Sequence, residues 1–281
     1  MNLKKVLARK IKDSRDEPTI EVEINGVKAS SPSGKSTGKY ETPSFHKSLE
    51  WNINFLNNTQ FNLKINSFQD LEKVEFLIKK KLKLKNIKQF GANALVGLEI
   101  AILKALAKEK KKQLWQIINE KTKKFPVPVG NAVGGGLHSH NKDAPIFQEF
   151  LIIPKTSSPQ KNYQTMKSIH SKLKSLLNAK EKNDEGAWQT SLNEEQVFEI
   201  LNKFKEIRMG TDIAASSFYC NKEYNYKNKS LNKTAQIHYV NSLIKKFNLF
   251  YTEDPLQEDD FEGFAKISHS KNNLVVGDDL T

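Results

Sequence analysis

The sequence predicts an α/β protein in two parts: a small α+β domain over residues 1–124, then a β/α unit of barrel type over residues 125–281. Three observations predict it. Ile20, Val22 and Ile24 alternate with polar or charged residues ahead of Asn25–Gly26, the pattern of a half-buried strand entering a tight hairpin turn. Leu95, Leu98, Ile102 and Leu106 draw one apolar stripe along a long helix. Beyond Phe125–Pro126–Val127–Pro128, helical stripes alternate with short apolar runs, the rhythm of parallel strands joined by helices.

In chain order, the hairpin comes first, followed by a stretch from Ser30 to Glu41 rich in Ser, Gly, Pro and Thr, a loop by composition. Helical patterns then cover Phe68 to Leu84 and Asn93 to Asn119. Strands first and helices after give the α+β domain. In the second part, Gly134–Gly135–Gly136 marks a sharp turn. Met166, Ile169, Leu173 and Leu176 form one helical stripe, Val197, Ile200, Leu201 and Phe204 another, and Ile237, Val240, Ile244 and Phe247 a third. Between and after them, Phe147–Ile153, Ile213–Ala215, Leu249–Tyr251 and Leu274–Val276 read as strands, all expected to run parallel. The chain shows no internal repeat.

Composition narrows the function classes. Among 281 residues, 37% are hydrophobic and 27% charged, enough for a real core and for solubility. No apolar run reaches the ~18 residues of a membrane span, and no secretory signal opens the chain, so a cytoplasmic protein is expected. The single cysteine, Cys220, rules out an internal disulfide framework. The net charge of +13 favours anionic ligands, but the excess is diffuse and almost all lysine. Lys79–Lys80–Lys81 and Lys108 to Lys112 sit on or beside helical patterns as solvated faces, and no arginine–aromatic interleaving points to nucleic acid. Gly34–Lys35–Ser36–Thr37 mimics the end of a phosphate-binding loop, yet Ala29 stands where that motif needs glycine, and no strand-to-helix context surrounds it.

Three acids stand out by position. Asp212 adjoins Ile213–Ala215, Glu253 follows Leu249–Phe250–Tyr251, and Asp278 follows Leu274–Val275–Val276–Gly277. A parallel barrel places such residues together at the C-terminal mouths of neighbouring strands, where these folds do chemistry. Converging carboxylates repel unless a cation lies among them, and hard oxygen donors suit Mg²⁺. The alternative reading is ordinary: helix caps or solvated loop acids. Glu149 is harder to dismiss, since it lies inside an apolar run where an unpartnered carboxylate is costly.

Blocks in one order carry a resemblance. They are Ala8–Arg9, Asp13–Ser14–Arg15 and Pro18–Thr19–Ile20–Glu21–Val22–Glu23; Pro32 to Gly38; Gly91–Ala92–Asn93–Ala94; Gly135–Gly136–Leu137–His138; Gln148–Glu149–Phe150; and Asp184–Glu185–Gly186. Asp212–Ile213–Ala214–Ala215–Ser216, Glu253–Asp254–Pro255–Leu256 and Gly277–Asp278–Asp279–Leu280–Thr281 follow. On these motifs the chain resembles the enolase family from Ala8 to Thr281. The resemblance implies a small α+β N-terminal domain followed by an incomplete enolase-type β/α (TIM-like) barrel, and a Mg²⁺-dependent lyase interconverting 2-phosphoglycerate and phosphoenolpyruvate in glycolysis. It also implies the roles. Asp212, Glu253 and Asp278 would hold Mg²⁺, and Ser36 on the closing loop would join a second Mg²⁺. Glu185, with Glu149 beside it, would protonate the departing hydroxyl. His138, Gln148 and Glu149 would contact substrate, as would Glu253 and Asp278 at the metal. Family members are dimers or dimer-based, so a homodimer is expected.

Departures from the family pattern are Asp16 for glycine, Lys35 for a small residue, Ala187–Trp188 in place of a second glycine, which puts bulk beside the acid, and Ser217 for an acid. From Phe125 to Thr281 only about five of the eight strand units of a barrel fit. The family's base lysine falls beyond Thr281, so these 281 residues alone are expected to be inactive, with a separate C-terminal half, a fragment, or a degenerate homologue with a binding or scaffold role as the three explanations.

Overall fold

The computed structural model describes residues 1–31, 34, 38–268 and 272–281. Two compact units result: Met1–Thr37 with Glu41–Lys124, and Gly38–Tyr40 with Phe125–Thr281.

The first unit is built on an antiparallel sheet, β2 (Leu7–Lys12), β3 (Pro18–Ile24) and β4 (Val27–Ser31), beside a short pair, β1 (Asn2–Leu3) with β5 (Leu63–Lys64). Asn25 and Gly26 join β3 to β4 with φ of 52 and 73, both left-handed, as a two-residue hairpin turn requires. Ile20, Val22 and Ile24 are buried, and α3 (Ala92–Lys110) lies across them. Gly97 lets that helix approach closely, since a Cβ there would sit 3.6 Å from Val22 and 3.7 Å from Ile20. The stripe holds: Leu98, Ile102 and Leu106 are fully buried. Helices α1 (Leu49–Asn58) and α2 (Leu71–Leu82) complete the core. The long helix ends earlier than its pattern suggests. Lys111 turns left-handed at φ 53 and a separate α4 (Leu114–Ile118) follows, because the run Lys108–Lys112 offers no apolar face to pack.

The second unit holds β6 (Gly130–Gly134), β7 (Glu149–Pro154), α5 (Pro159–Leu176), β8 (Trp188–Gln189), α6 (Glu194–Leu201), β9 (Ile207–Asp212), β10 (Tyr219–Cys220), β11 (Glu223–Asn225), β12 (Ser230–Asn232), α7 (Lys233–Phe247), β13 (Tyr251–Glu253), α8 (Phe261–Phe264) and β14 (Leu274–Val276). Six strands form one sheet in the order β14-β13-β9-β7-β6-β8, which does not close on itself within the described residues. Phe150 of β7 meets Phe198 edge to face and Phe198 meets Phe247 at a tilt, with ring centroids 5.0 and 5.2 Å apart.

Three expectations change here. The strands are not all parallel, since β7 runs antiparallel to both β6 and β9. The connection from β6 to β7 holds a short 3-10 turn and loop but no α-helix, and it brings the chain back antiparallel. Ile213–Ala215 is not the strand beside Asp212. The strand precedes it, with Asp212 as its last residue, and Ala214 turns left-handed at φ 47 directly afterwards. Likewise Leu249 is a buried lead-in, and β13 runs to Glu253. The small sheet β10-β11-β12 was not foreseen, because its short strands carry no sustained alternation.

Candidate active site

One end of the six-stranded sheet collects acids, and the reversal of β7 explains how. Asp212 and Glu253 are the last residues of β9 and β13 and are direct partners across that parallel pair. Glu149 is the first residue of β7, and because that strand runs the opposite way, its first residue pairs with Asp212 at the same end. Asp278 lies two residues past Val276, the partner of Glu253, so it reaches the same mouth.

Glu185 enters from the loop before β8. Asn183 shapes that loop by accepting the N–H groups of Glu185 and Ala187 through its side-chain oxygen, at 3.1 and 2.9 Å. Gly186 takes φ 82, which only glycine adopts at low cost. The bulk expected beside the acid points elsewhere. Ala187 is fully buried, and Trp188 packs on His170 and donates its indole N–H to the His170 carbonyl at 2.7 Å. His138 is positioned by the glycine turn after β6. A Cβ at Gly135 would meet the Phe147 and Pro145 carbonyls at 2.4 Å, so no other residue fits there.

The site residues then meet. His138 Nδ1 lies 3.0 Å from Glu185 Oε2 and 3.7 Å from Glu149 Oε1, and its buried Nε2 has no partner. Among the described residues, His138, Glu149 and Glu185 form the one group of three donor atoms lying within 4.8 Å of one another. Gln148 donates through Nε2 to Asp212 Oδ2 at 3.1 Å, and the Ala214 N–H donates to Asp212 Oδ1 at 2.9 Å. Tyr251 donates its hydroxyl to Glu253 at 2.7 Å. Asn131 is a site residue that sequence reasoning missed. It donates through Nδ2 to Glu185 Oε2 at 3.0 Å, and its Oδ1 is buried without a partner. A lone Asn in a short strand next to the Gly-rich turn carries no signal beyond its nearness to His138.

Electrostatics separate this cluster from ordinary surface acids. Burial, followed by the Glu253, Glu149 and Asp254 charges, pushes the Asp212 carboxyl up to about 9. Burial and the adjoining Glu185 raise Glu149 well above the usual carboxylate range. Glu253 is raised by burial and by Asp278 and Asp279, against the Tyr251 hydrogen bond. Asp254 rises to about 6 through burial, although it accepts the backbone N–H groups of Asp278 and Asp279. Such mutual repulsion among oxygen donors is what a hard divalent cation offsets, so the donor set suits one. The triad Asp212, Glu253 and Asp278 is not as tight as the His138 group. Ser36 and Lys35 lie outside the described residues.

Two other departures find local reasons. Asp16 takes φ 62, where glycine is the low-cost residue, and Asp is among the few others that tolerate it. Ser217 caps the turn by donating its hydroxyl to the Ala214 carbonyl.

Fold and site together define an α/β protein of barrel type, with a cluster of carboxylates gathered at its strand ends. Comparison with known proteins is specific. The enolase N-terminal domain model matches residues 3–118, and the enolase C-terminal TIM barrel domain model matches residues 122–281. Curated relatives named enolase include those of Methanocorpusculum labreanum (34% identical over 98% of this chain), Thermoplasma acidophilum (32% over 99%) and Archaeoglobus fulgidus (31% over 100%). The matches span 74%, 75% and 74% of those relatives' own lengths. The chain belongs to the enolase family. No helix among the described residues is long and apolar enough to cross a membrane.

Proposed function

We propose that this protein is a phosphopyruvate hydratase, a lyase that interconverts 2-phosphoglycerate and phosphoenolpyruvate in cytoplasmic glycolysis, and that it works as a homodimer. The observation that carries the reading is the meeting of Glu149 and Glu185 at His138: burial first, and the adjoining Glu185 second, raise the Glu149 carboxyl well above the usual carboxylate range, so this corner holds a proton at neutral pH. A leaving hydroxyl needs that proton. In the forward direction the C–H beside the substrate carboxylate loses its proton to a base, the C–O bond at the next carbon breaks, and Glu185 protonates the departing oxygen to give water. His138 and Asn131 fix the Glu185 carboxyl by hydrogen bonds. Gln148 contributes a substrate contact from its place beside Asp212. Asp212, Glu253 and Asp278 would hold Mg²⁺, which when bound offsets the negative charge that accumulates on the substrate carboxylate.

The base is the remaining requirement. In this unit the lysines that pair with acids serve other carboxylates: Lys39 with Asp259, Lys233 with Asp260 and Lys246 with Glu195. Among the described residues no lysine pairs with Glu149, Asp212, Glu253 or Asp278. On this reading none of these lysines is assigned as the base, and the 281 residues by themselves are expected to show no turnover. Phosphoenolpyruvate formation, followed by its absorbance with Mg²⁺ present, tests both statements. The chain alone should show no turnover, and a fusion to the remaining barrel segment of the Methanocorpusculum labreanum relative should show it. A well-folded fusion without activity would favour the degenerate binding or scaffold role.

A further inference from the structure

A second cavity lies away from the acid cluster, and its chemistry is different. It has a volume of about 750 Å³ and lies between the start of α6, the hairpin loop joining β11 to β12, and α7. Two tyrosines form its apolar wall. Tyr226 and Tyr239 stand edge to face, with ring centroids 5.4 Å apart and planes at 86°. Tyr226 is held rigidly, because its hydroxyl donates to Gln236, whose own amide donates to the Pro255 carbonyl. Phe218 packs against the same ring at 5.2 Å.

An ammonium already occupies this corner. The Tyr226 N–H donates to the Lys229 carbonyl, closing the turn between β11 and β12, and the turn folds Lys229 back over both rings. Its Nζ lies 3.5 Å from the Tyr239 centroid and 5.0 Å from that of Tyr226. Acids line the rest of the cavity: Asp143, Glu194, Glu195 and Glu199. Burial first, then the Glu194 and Glu195 charges, push the Tyr239 phenol above its ordinary value, which places those carboxylates close to the ring.

Ordinary roles cover part of this. Glu194 and Glu195 favour the first turn of α6, Glu194 also accepts the Ile146 N–H, and Glu195 pairs with Lys246. They leave the tyrosine corner unexplained. Asp143 and Glu199 complete the acidic rim as exposed carboxylates, with Glu199 also acting on Lys246. Perpendicular aromatic faces carrying an ammonium, backed by carboxylates, are a recognition device for organic cations.

We infer that this cavity binds a small linear polyamine, one ammonium of which takes the place of Lys229 over Tyr226 and Tyr239 while the others meet Asp143 and Glu199. Lys229 is then an internal competitor that lowers the apparent affinity. A chain of net charge +13 repels amines in general, so binding would have to come from a local site.

Spermidine titrated calorimetrically into the 281-residue chain at low salt is the test. Lys229→Ala should bind it about three- to tenfold more tightly than the unsubstituted chain. Lys227→Ala removes the same charge from the same hairpin without opening the tyrosine corner, so its gain should be clearly smaller. Tyr239→Leu should weaken binding about three- to tenfold, with circular dichroism confirming its fold. If Tyr239→Leu unfolds, the two lysine variants still decide the matter. Equal gains at Lys227 and Lys229 would overturn the inference, as would no binding to Lys229→Ala at about 1 mM spermidine.

Discussion

The two units treat their acids in opposite ways. In the N-terminal unit carboxylates face cations: Glu21 pairs with Arg9 at 2.6 Å and lies near Lys28, Glu23 lies near Lys28, and Asp70 pairs with Lys73. At the strand ends of the barrel unit carboxylates are buried, and they face other carboxylates, which adds to the cost. The first arrangement suits a solvated surface, where each pair contributes at most about 1 kcal/mol. The second destabilises the protein unless something positive or protonated arrives. On the proposed function, the difference separates residues placed for folding from residues placed for a ligand.

The largest expected effect breaks the comparison at its most functional point. In the active fusion, Glu185→Gln keeps the shape and the Asn131 contact but removes the carboxyl that would pass a proton to the leaving oxygen. Turnover should fall about a hundred- to ten-thousandfold, with the melting temperature little changed. Unchanged turnover would remove Glu185 from the mechanism.

Next comes a substitution in the region that serves folding alone. Leu98 is fully buried against the sheet of the N-terminal unit, and Leu98→Ala should cost about 2–5 kcal/mol in denaturant unfolding. Mg²⁺ binding to the folded protein should not change. Asp212→Asn should act with the opposite sign. Asn cannot ionise, so the cost of ionising a carboxyl buried beside Glu253, Glu149 and Asp254 disappears: the metal-free chain should gain about 1 kcal/mol or more, and any rise in melting temperature on adding Mg²⁺ should be lost. A destabilised Asp212→Asn chain that still responds to Mg²⁺ would show that Asp212 is a structural acid.

Much of this contrast was legible in the sequence, and the parts that were not share a cause. Glu253 and Asp278 could be placed because each closely follows an apolar run, whereas the run beside Asp212 lies on the wrong side of it, its own strand Ile207–Asp212 being partly polar. The reversal of β7 could not, since a short apolar run such as Phe147–Ile153 reads the same in either direction. Glu149 was suspected from burial, and its partner Asp212 emerged only with the antiparallel register. Asn131 and the Tyr226–Tyr239 corner depend on contacts across more than ten residues of chain or on a short hairpin, and neither leaves a periodic trace.

The smallest effect tests an exception among the described residues of the N-terminal unit. Glu99 on α3 faces Glu75 on α2, and its Oε1 is buried without a partner. Burial first, and the Glu75 charge second, raise Glu99 to about 7 from an ordinary value of 4.5. A carboxyl whose folded value lies above its unfolded value stabilises the fold most when protonated. That contribution is complete below 4.5 and is lost as the pH rises through 7. Since Glu99 is partly solvated, screening trims the effect to about 1–2 kcal/mol. Glu99→Gln cannot ionise, so it should be more stable than the unsubstituted chain by that amount at pH values above 7, with the difference vanishing toward 4.5. Denaturant midpoints across that range give the answer, and the comparison cancels the titration of the barrel acids common to both chains. A constant difference at every pH would mean that packing, not charge, distinguishes the two proteins, and that the N-terminal unit holds no acid placed against its own stability.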